Sequence, residues 1–199
     1  MKFSALIALF FAASGMVGYA AGVNFPVTPA RICSSPDLQW RIRCETGEQS
    51  NGGALHTLFL SKLGEAKEVS IWASGRRCDA LWSADSQRIA LTDWAGSNVA
   101  GIFLVQVAAP SKAVKLEVKN IQVIAQKVEL RGHCYYEAMK WEGAHQLLIR
   151  VFGHTDENRG HGFTYYLSVD TASGLAKLVK KFDEEGVLLT AGLLKYQRL

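Results

Sequence analysis

The sequence predicts an all-β protein assembled from antiparallel β-repeats. Three observations carry that prediction. Short apolar segments alternate with turn signals, the stretch Leu81–Val107 reads as strand, turn and strand, and looser versions of it lie before and after. The chain has 199 residues, 49% of them hydrophobic and 20% charged, which is the balance of a globular chain with a real core.

The first twenty residues set the expected compartment. Lys2 opens them, Ser4–Gly18 form an apolar run, and Gly18-Tyr19-Ala20 offers the small residues of a cleavage site. This is the layout of a secretory signal peptide over 1–20, its apolar run being short for a membrane span. An uncleaved N-terminal anchor is the alternative. No later apolar run approaches the ~20 residues of a spanning helix. The mature chain is therefore expected to be periplasmic or secreted. Its net charge of +4, Lys2 included, is spread without a basic cluster, so no nucleic-acid partner is expected.

Residues 21–36 (AGVNFPVTPARICSSP) hold three of the four prolines and read as a lead-in, lying along the surface or closing onto another element. The rest, 37–199, reads as a single β-repeat domain. Asp37–Glu45 alternates, with Leu38, Trp40, Ile42 and Cys44 on one face. Asn51-Gly52 supplies a tight turn, since both residues tolerate positive φ. Leu55–Leu63 and Glu68–Ala73 follow as strands. Arg88–Thr92 is the next strand and Trp94–Asn98 a turn. Ile102–Val107 is nearly continuous in apolar residues, as a strand covered on both faces should be. Ala113–Val118 and Ile121–Leu130 extend the series. The last group comprises Gln146–Phe152, the polar loop Gly153–Gly162, Phe163–Val169 and Leu175–Phe182. Val187–Tyr196 fits either a strand or a short helix.

A repeat emerges when Trp82 is set on Trp141 and Ser35-Pro36-Asp37 on Ser83-Ala84-Asp85, spacings of 59 and 48 residues. One such sheet cannot bury both faces alone, so neighbours must stack. The stretch Trp82-Ser83-Ala84-Asp85-Ser86-Gln87-Arg88-Ile89-Ala90-Leu91-Thr92, followed by Ile102-Phe103-Leu104-Val105, resembles the WD40-like repeat of TolB-type β-propellers. That repeat runs W-S-P-D-G-K-x-[IL]-A-[FY], then a turn and an I-[YF]-[VL] strand. Ser35-Pro36-Asp37 keeps its S-P-D core, while the third copy keeps Trp141, Gly143 and an apolar strand. The resemblance implies a propeller-like array of three to four blade-like sheets, fewer than a standard closed ring. A β-sandwich is the runner-up.

Four cysteines follow the leader: Cys33, Cys44, Cys78 and Cys134. In an exported chain they are expected to pair, and Cys33–Cys44 with Cys78–Cys134 is the favoured pairing, buried free thiols being the alternative. His154, Asp156 and His161 are candidate metal ligands by residue type, although their spacing matches no standard site. Trp94 lies in a predicted turn beside Asp93, Gly96 and Asn98. An aromatic in a loop is a candidate binding residue, and Trp94, Asp93, Asn98 and Arg159 form the expected contact set. No G-x-S-x-G elbow and no phosphate-cradling glycine loop occurs, and His133-Cys134 would point to opposite faces of a strand. The expected function is a non-catalytic module without cofactor, binding another envelope or extracellular protein, or a glycan. A secreted metal-binding protein or metal-dependent enzyme using the 153–162 loop is the competing class. A degenerate propeller fragment acting in an oligomer is the third.

Overall fold

The computed structural model describes residues 23–26, 32–125, 129–155, 162–182 and 188–189. The leader at 1–20 lies outside them. Short strand β1 (Val23–Phe25) precedes a four-stranded antiparallel sheet made of β2 (Cys33–Ser34), β3 (Trp40–Glu48), β4 (Ala54–Lys62) and β5 (Glu68–Ser74), in that order. The second sheet holds β6 (Cys78–Trp82), β7 (Arg88–Asp93), β8 (Val99–Gln106) and β9 (Val114–Lys115). A single helical turn, α1 (Ile121–Ile124), leads to the third sheet: β10 (His133–Trp141), β11 (Gln146–His154), β12 (Gly162–Asp170), β13 (Ala176–Phe182) and β14 (Leu188–Leu189). The architecture is all-β with antiparallel sheets. Among the described residues no helix is long and apolar enough to cross a membrane.

The turn chemistry explains why strands begin where they do. Ser35 and Ser83 are each 1% exposed, and each hydroxyl donates to the aspartate two residues on, Asp37 at 2.5 Å and Asp85 at 2.6 Å. Each hydroxyl also accepts the amide five residues on, from Trp40 and Arg88, at 2.9 Å. The same aspartates accept the amides of Gln39 and Gln87 at 3.0 Å. Leu38 and Ser86, at matching positions, both take left-handed φ, 58° and 59°. The two turns are chemical copies, and they touch: the Asp37 amide donates to Ser86 Oγ at 3.1 Å. This turn moves the start of the predicted Asp37–Glu45 strand to Trp40, because Asp37 is used as a turn residue. The third copy differs. Its turn closes from the Glu142 amide to the Gln146 carbonyl, one residue shorter and without Ser or Asp.

The expected hairpin joins β3 to β4, but of Asn51 and Gly52 only Gly52 takes positive φ, 82°, and the turn is closed by the Gln49 amide donating to the Gly53 carbonyl at 2.6 Å, longer than a two-residue turn. Two expectations change. Ala113–Val118 yields only the two residues of β9, and Ile121–Leu130 yields α1 in place of a strand, with 126–128 outside the described residues. Of Val187–Tyr196, Leu188–Leu189 is described and is a strand. The lead-in closes onto another element: β1 pairs with β6, past the whole first sheet, and buries Phe25 completely.

Two cores result, and the second sheet serves both. Ala80, Trp82, Ile89, Leu91 and Val105 pack with Ile42, Leu58, Leu60 and Ile71 of the first sheet. Their neighbours Leu81, Ala90 and Ile102 pack with Leu147, Ile149, Val151, Tyr165 and Leu167 of the third. Alternation along β6–β8 therefore points apolar side chains both ways. Each fully buried large side chain contributes about 1.5–3 kcal/mol of transfer free energy.

The second and third sheets also meet through backbone. Val99 and Ala100 of β8 pair in parallel with Cys134 and Tyr135 of β10, so strands β1 and β6–β14 form one ten-stranded sheet. From that corner β10 crosses the second sheet. The Ala138 amide donates to Thr92 Oγ1 at 3.0 Å on β7, and Trp141 Nε1 donates to the Leu81 carbonyl at 3.2 Å on β6.

The expected disulfides are corrected by this arrangement. Cys33, Cys44, Cys78 and Cys134 are all free thiols. Cys33 stands opposite Ile42, which leaves Cys44 two residues further along β3, a diagonal too long for a bridge. Cys78 lies in the core between the first and second sheets, whereas Cys134 lies in the core between the second and third.

Candidate functional site

On the joint between the second and third sheets, aromatic and arginine side chains gather at the surface. The site begins with β6. Arg77, immediately before it, forms a two-pronged pair with Asp79, Nε to Oδ1 at 2.8 Å and one terminal nitrogen to Oδ2 at 2.9 Å. Trp94 follows β7, and its amide donates to the Arg77 carbonyl at 3.0 Å, which fixes the indole beside that pair. Its Nε1 donates to Asp79 Oδ2 at 2.7 Å, and the Arg77 guanidinium covers its ring at 5.3 Å.

The third sheet supplies the rest. Alternation along β10 sends Cys134, Tyr136 and Ala138 into the core and leaves Tyr135 and Glu137 on the outer face. Alternation along β11 does the same for Arg150 and Phe152, whose neighbours Ile149 and Val151 are buried. Tyr135 stacks on Phe152 at 5.3 Å, and both rings lie 6.3 Å from Trp94. Arg150 sits over the Phe152 ring at 4.1 Å and pairs with Glu137 at 2.6 Å. The Tyr135 hydroxyl donates to the Ser97 carbonyl at 2.5 Å, tying the Trp94–Asn98 turn to β10. Further along the same face, Phe182 stands across from Thr164, the partner of Phe152, and meets Tyr166 edge-on at 5.8 Å.

Two features of this cluster matter for recognition. Its charges cancel, two arginines against two carboxylates. Its rings are already in contact with one another and with the arginines: Phe152 meets Tyr135 and Arg150, and Arg77 lies over Trp94. What the cluster presents to solvent includes guanidinium groups set against half-buried rings. Arg77 keeps a 54% exposed side chain and Arg150 a 33% exposed one.

The expected contact residues divide. Trp94 is at the centre of the cluster, half-buried. Asn98 is exposed in the adjoining turn, bonded to Ser97 at 2.6 Å. Asp93 is not a surface group: it is buried at the end of β7 and accepts from Ser74 of the first sheet at 2.8 Å. Burial pushes its carboxyl upward, against the hydrogen bond from Ser74. Arg159 lies outside the described residues, as do Asp156 and His161 of the expected metal set. His154 is described, at the end of β11, where its ring stacks on His133 at 4.2 Å. Among the described residues no group of three or more His, Cys, Asp or Glu side chains could hold a metal.

Arg77, Tyr135, Glu137, Arg150 and Phe152 were not singled out from the sequence. Strand alternation identifies the last four as solvent-face residues, but their meeting with Trp94 depends on the β8–β10 corner. Nucleophilic chemistry gains nothing from the thiols. Burial pushes Cys33, Cys44 and Cys78 up, and takes Cys134 to about 11. No family profile, curated protein or solved structure matches the chain.

Proposed function

We propose that this chain is an exported, non-catalytic β-repeat module that binds another envelope or extracellular protein through the Trp94–Phe152 surface. The observation that carries the reading is the meeting of Trp94, Tyr135, Phe152, Arg77 and Arg150 in one charge-balanced, half-exposed cluster. Trp, Tyr and Arg are the residues that dominate the energetics of protein interfaces. Between a protein and a glycan, the ring geometry favours the protein. Arginines over the Trp94 and Phe152 rings occupy positions where a sugar would stack, and their guanidiniums suit the carbonyls and carboxylates of a polypeptide. The blade-like reading of the sheets, after the TolB-type resemblance, draws support from the two matching serine–aspartate turns and from the middle sheet buried on both faces.

The test is capture of native-envelope proteins on the tagged mature chain, compared across variants. Trp94→Ala and Arg150→Ala are expected to lower affinity for the captured partner by about 2 kcal/mol each, roughly thirtyfold. Arg43→Ala is the control, because Arg43 belongs to the outer face of the first sheet, paired there with Glu68 at 2.5 Å. Equal binding by all three variants would sink the proposal. Stoichiometric zinc or copper in the purified protein, lost on substituting His161, would instead favour the metal-dependent class.

A further inference from the structure

A second surface feature lies apart from the aromatic cluster, where the β8–β9 segment of the second sheet faces the β12–β13 turn of the third. A crevice of about 430 Å³ opens there. Lys112, Lys115 and Lys119 line it, with Glu117 as the one acidic residue and Leu104, Val114 and Leu116 as apolar wall. Lys115 is neutralised by Glu117 at 3.4 Å, whereas among the described residues Lys112 and Lys119 have no carboxylate partner. Among the described residues the crevice lining therefore carries an excess of positive charge, three lysines against one glutamate.

The backbone at Lys119 is also held in place. Its amide donates to the Gly174 carbonyl at 3.0 Å, and the next residue, Asn120, clamps β13 with two 2.8 Å bonds, to the amide and the carbonyl of Ala176. Its aliphatic stem runs along Gly174. A Cβ at position 174 would lie 3.4 Å and 3.5 Å from two of the stem carbons and 2.3 Å from the Glu117 carbonyl, in a backbone with φ 77°. Glycine is what allows the turn to approach this closely and the crevice to exist.

We infer that this crevice binds a small anion bearing carboxylate or phosphate groups on a short apolar body. Lys112 and Lys119 take the anionic groups, and the Leu104–Leu116 wall takes the body. The backbone bonds at Lys119 and Asn120 set where the Lys119 side chain leaves the chain, at the rim of the crevice and beside Gly174.

Titration of the mature chain with inorganic phosphate and, separately, with citrate tests this, at fixed ionic strength and read by calorimetry and backbone amide shifts. Saturable binding of one equivalent is expected, with shifts confined to residues 111–119 and 171–174. Lys112→Ala and Lys119→Ala are each expected to weaken binding about tenfold. Both lysines are exposed, so an unchanged thermal melt will certify the fold of each variant. Trp94→Ala is expected to bind the anions as the unaltered chain does, which separates this site from the protein-binding surface. A phosphate-only or citrate-only response identifies the head group. No saturable binding in the millimolar range would overturn the inference. So would an undiminished response in the double lysine variant, which would show only screening by salt.

Discussion

Asp93 shows how a residue chosen from sequence as a contact can turn out to be a fastener. Its neighbour Trp94 reaches the surface, but Asp93 is 6% exposed and bonds Ser74 across the first and second sheets. Burial raises its carboxyl above the ordinary value of 3.8. A raised acid binds more protons in the folded state than in the unfolded one, so stability falls as pH rises from the unfolded value through the folded one. Asp93→Asn keeps an oxygen for Ser74 and removes that charge. The variant is expected to melt higher than the parent at pH 7, with the difference shrinking as pH drops toward 4, which melts across that range will show. A variant less stable at pH 7 would mean that the ionised form is favoured there.

The serine–aspartate turn is the element that the sequence specified most completely. Its hydroxyl and carboxylate accept the amides that start the next strand, so residue type and spacing suffice to form it. One position departs from ideal chemistry. Leu38 takes φ 58° with its side chain 64% exposed, so it accepts left-handed strain without burying its side chain in return. The left-handed penalty of about 1–2 kcal/mol exceeds the entropic cost of glycine, about 0.5–1 kcal/mol. Leu38→Gly is therefore expected to stabilise the chain by about 0.5–1 kcal/mol in chemical denaturation. A loss of stability would show that Leu38 makes a contact of greater worth. The opposite case is Gly153, read as the start of a loop yet part of β11. A Cβ there would fall 1.7 Å from the His133 carbonyl, a closeness set by strand pairing and invisible along the chain.

For the whole molecule, the second sheet is the shared element. It contributes Ile89 and Leu91 to one core and Ala90 and Ile102 to the other, so neither core can open without exposing a face of the same strands. One cooperative transition is expected. Ile42→Ala, in the first core, and Ile149→Ala, in the second, should each lower that single midpoint, with a cost of about 2–5 kcal/mol. Two separate melts, each sensitive to only one variant, would refute the coupling. The two ends of the array differ in kind. The first sheet closes its outer face with Arg41, Arg43, Glu45 and Glu68 in ion pairs, while the third carries Tyr135, Phe152 and Arg150 on its outer face.

By itself the sequence determined the β class, the hairpin at Asn51-Gly52 and the two matching turns, because these depend on alternation and on hydrogen bonds between residues at most five apart. It also marked Trp94. Only the tertiary structure decided which cysteines stay apart, where Asp93 points, and that Trp94 meets Tyr135 and Phe152 next to two arginines. Those outcomes hang on the parallel β8–β10 contact and the crossing of β10 over the second sheet. Such contacts join residues 35 to 60 positions apart, and their formation is governed by how whole sheets stack to bury their faces.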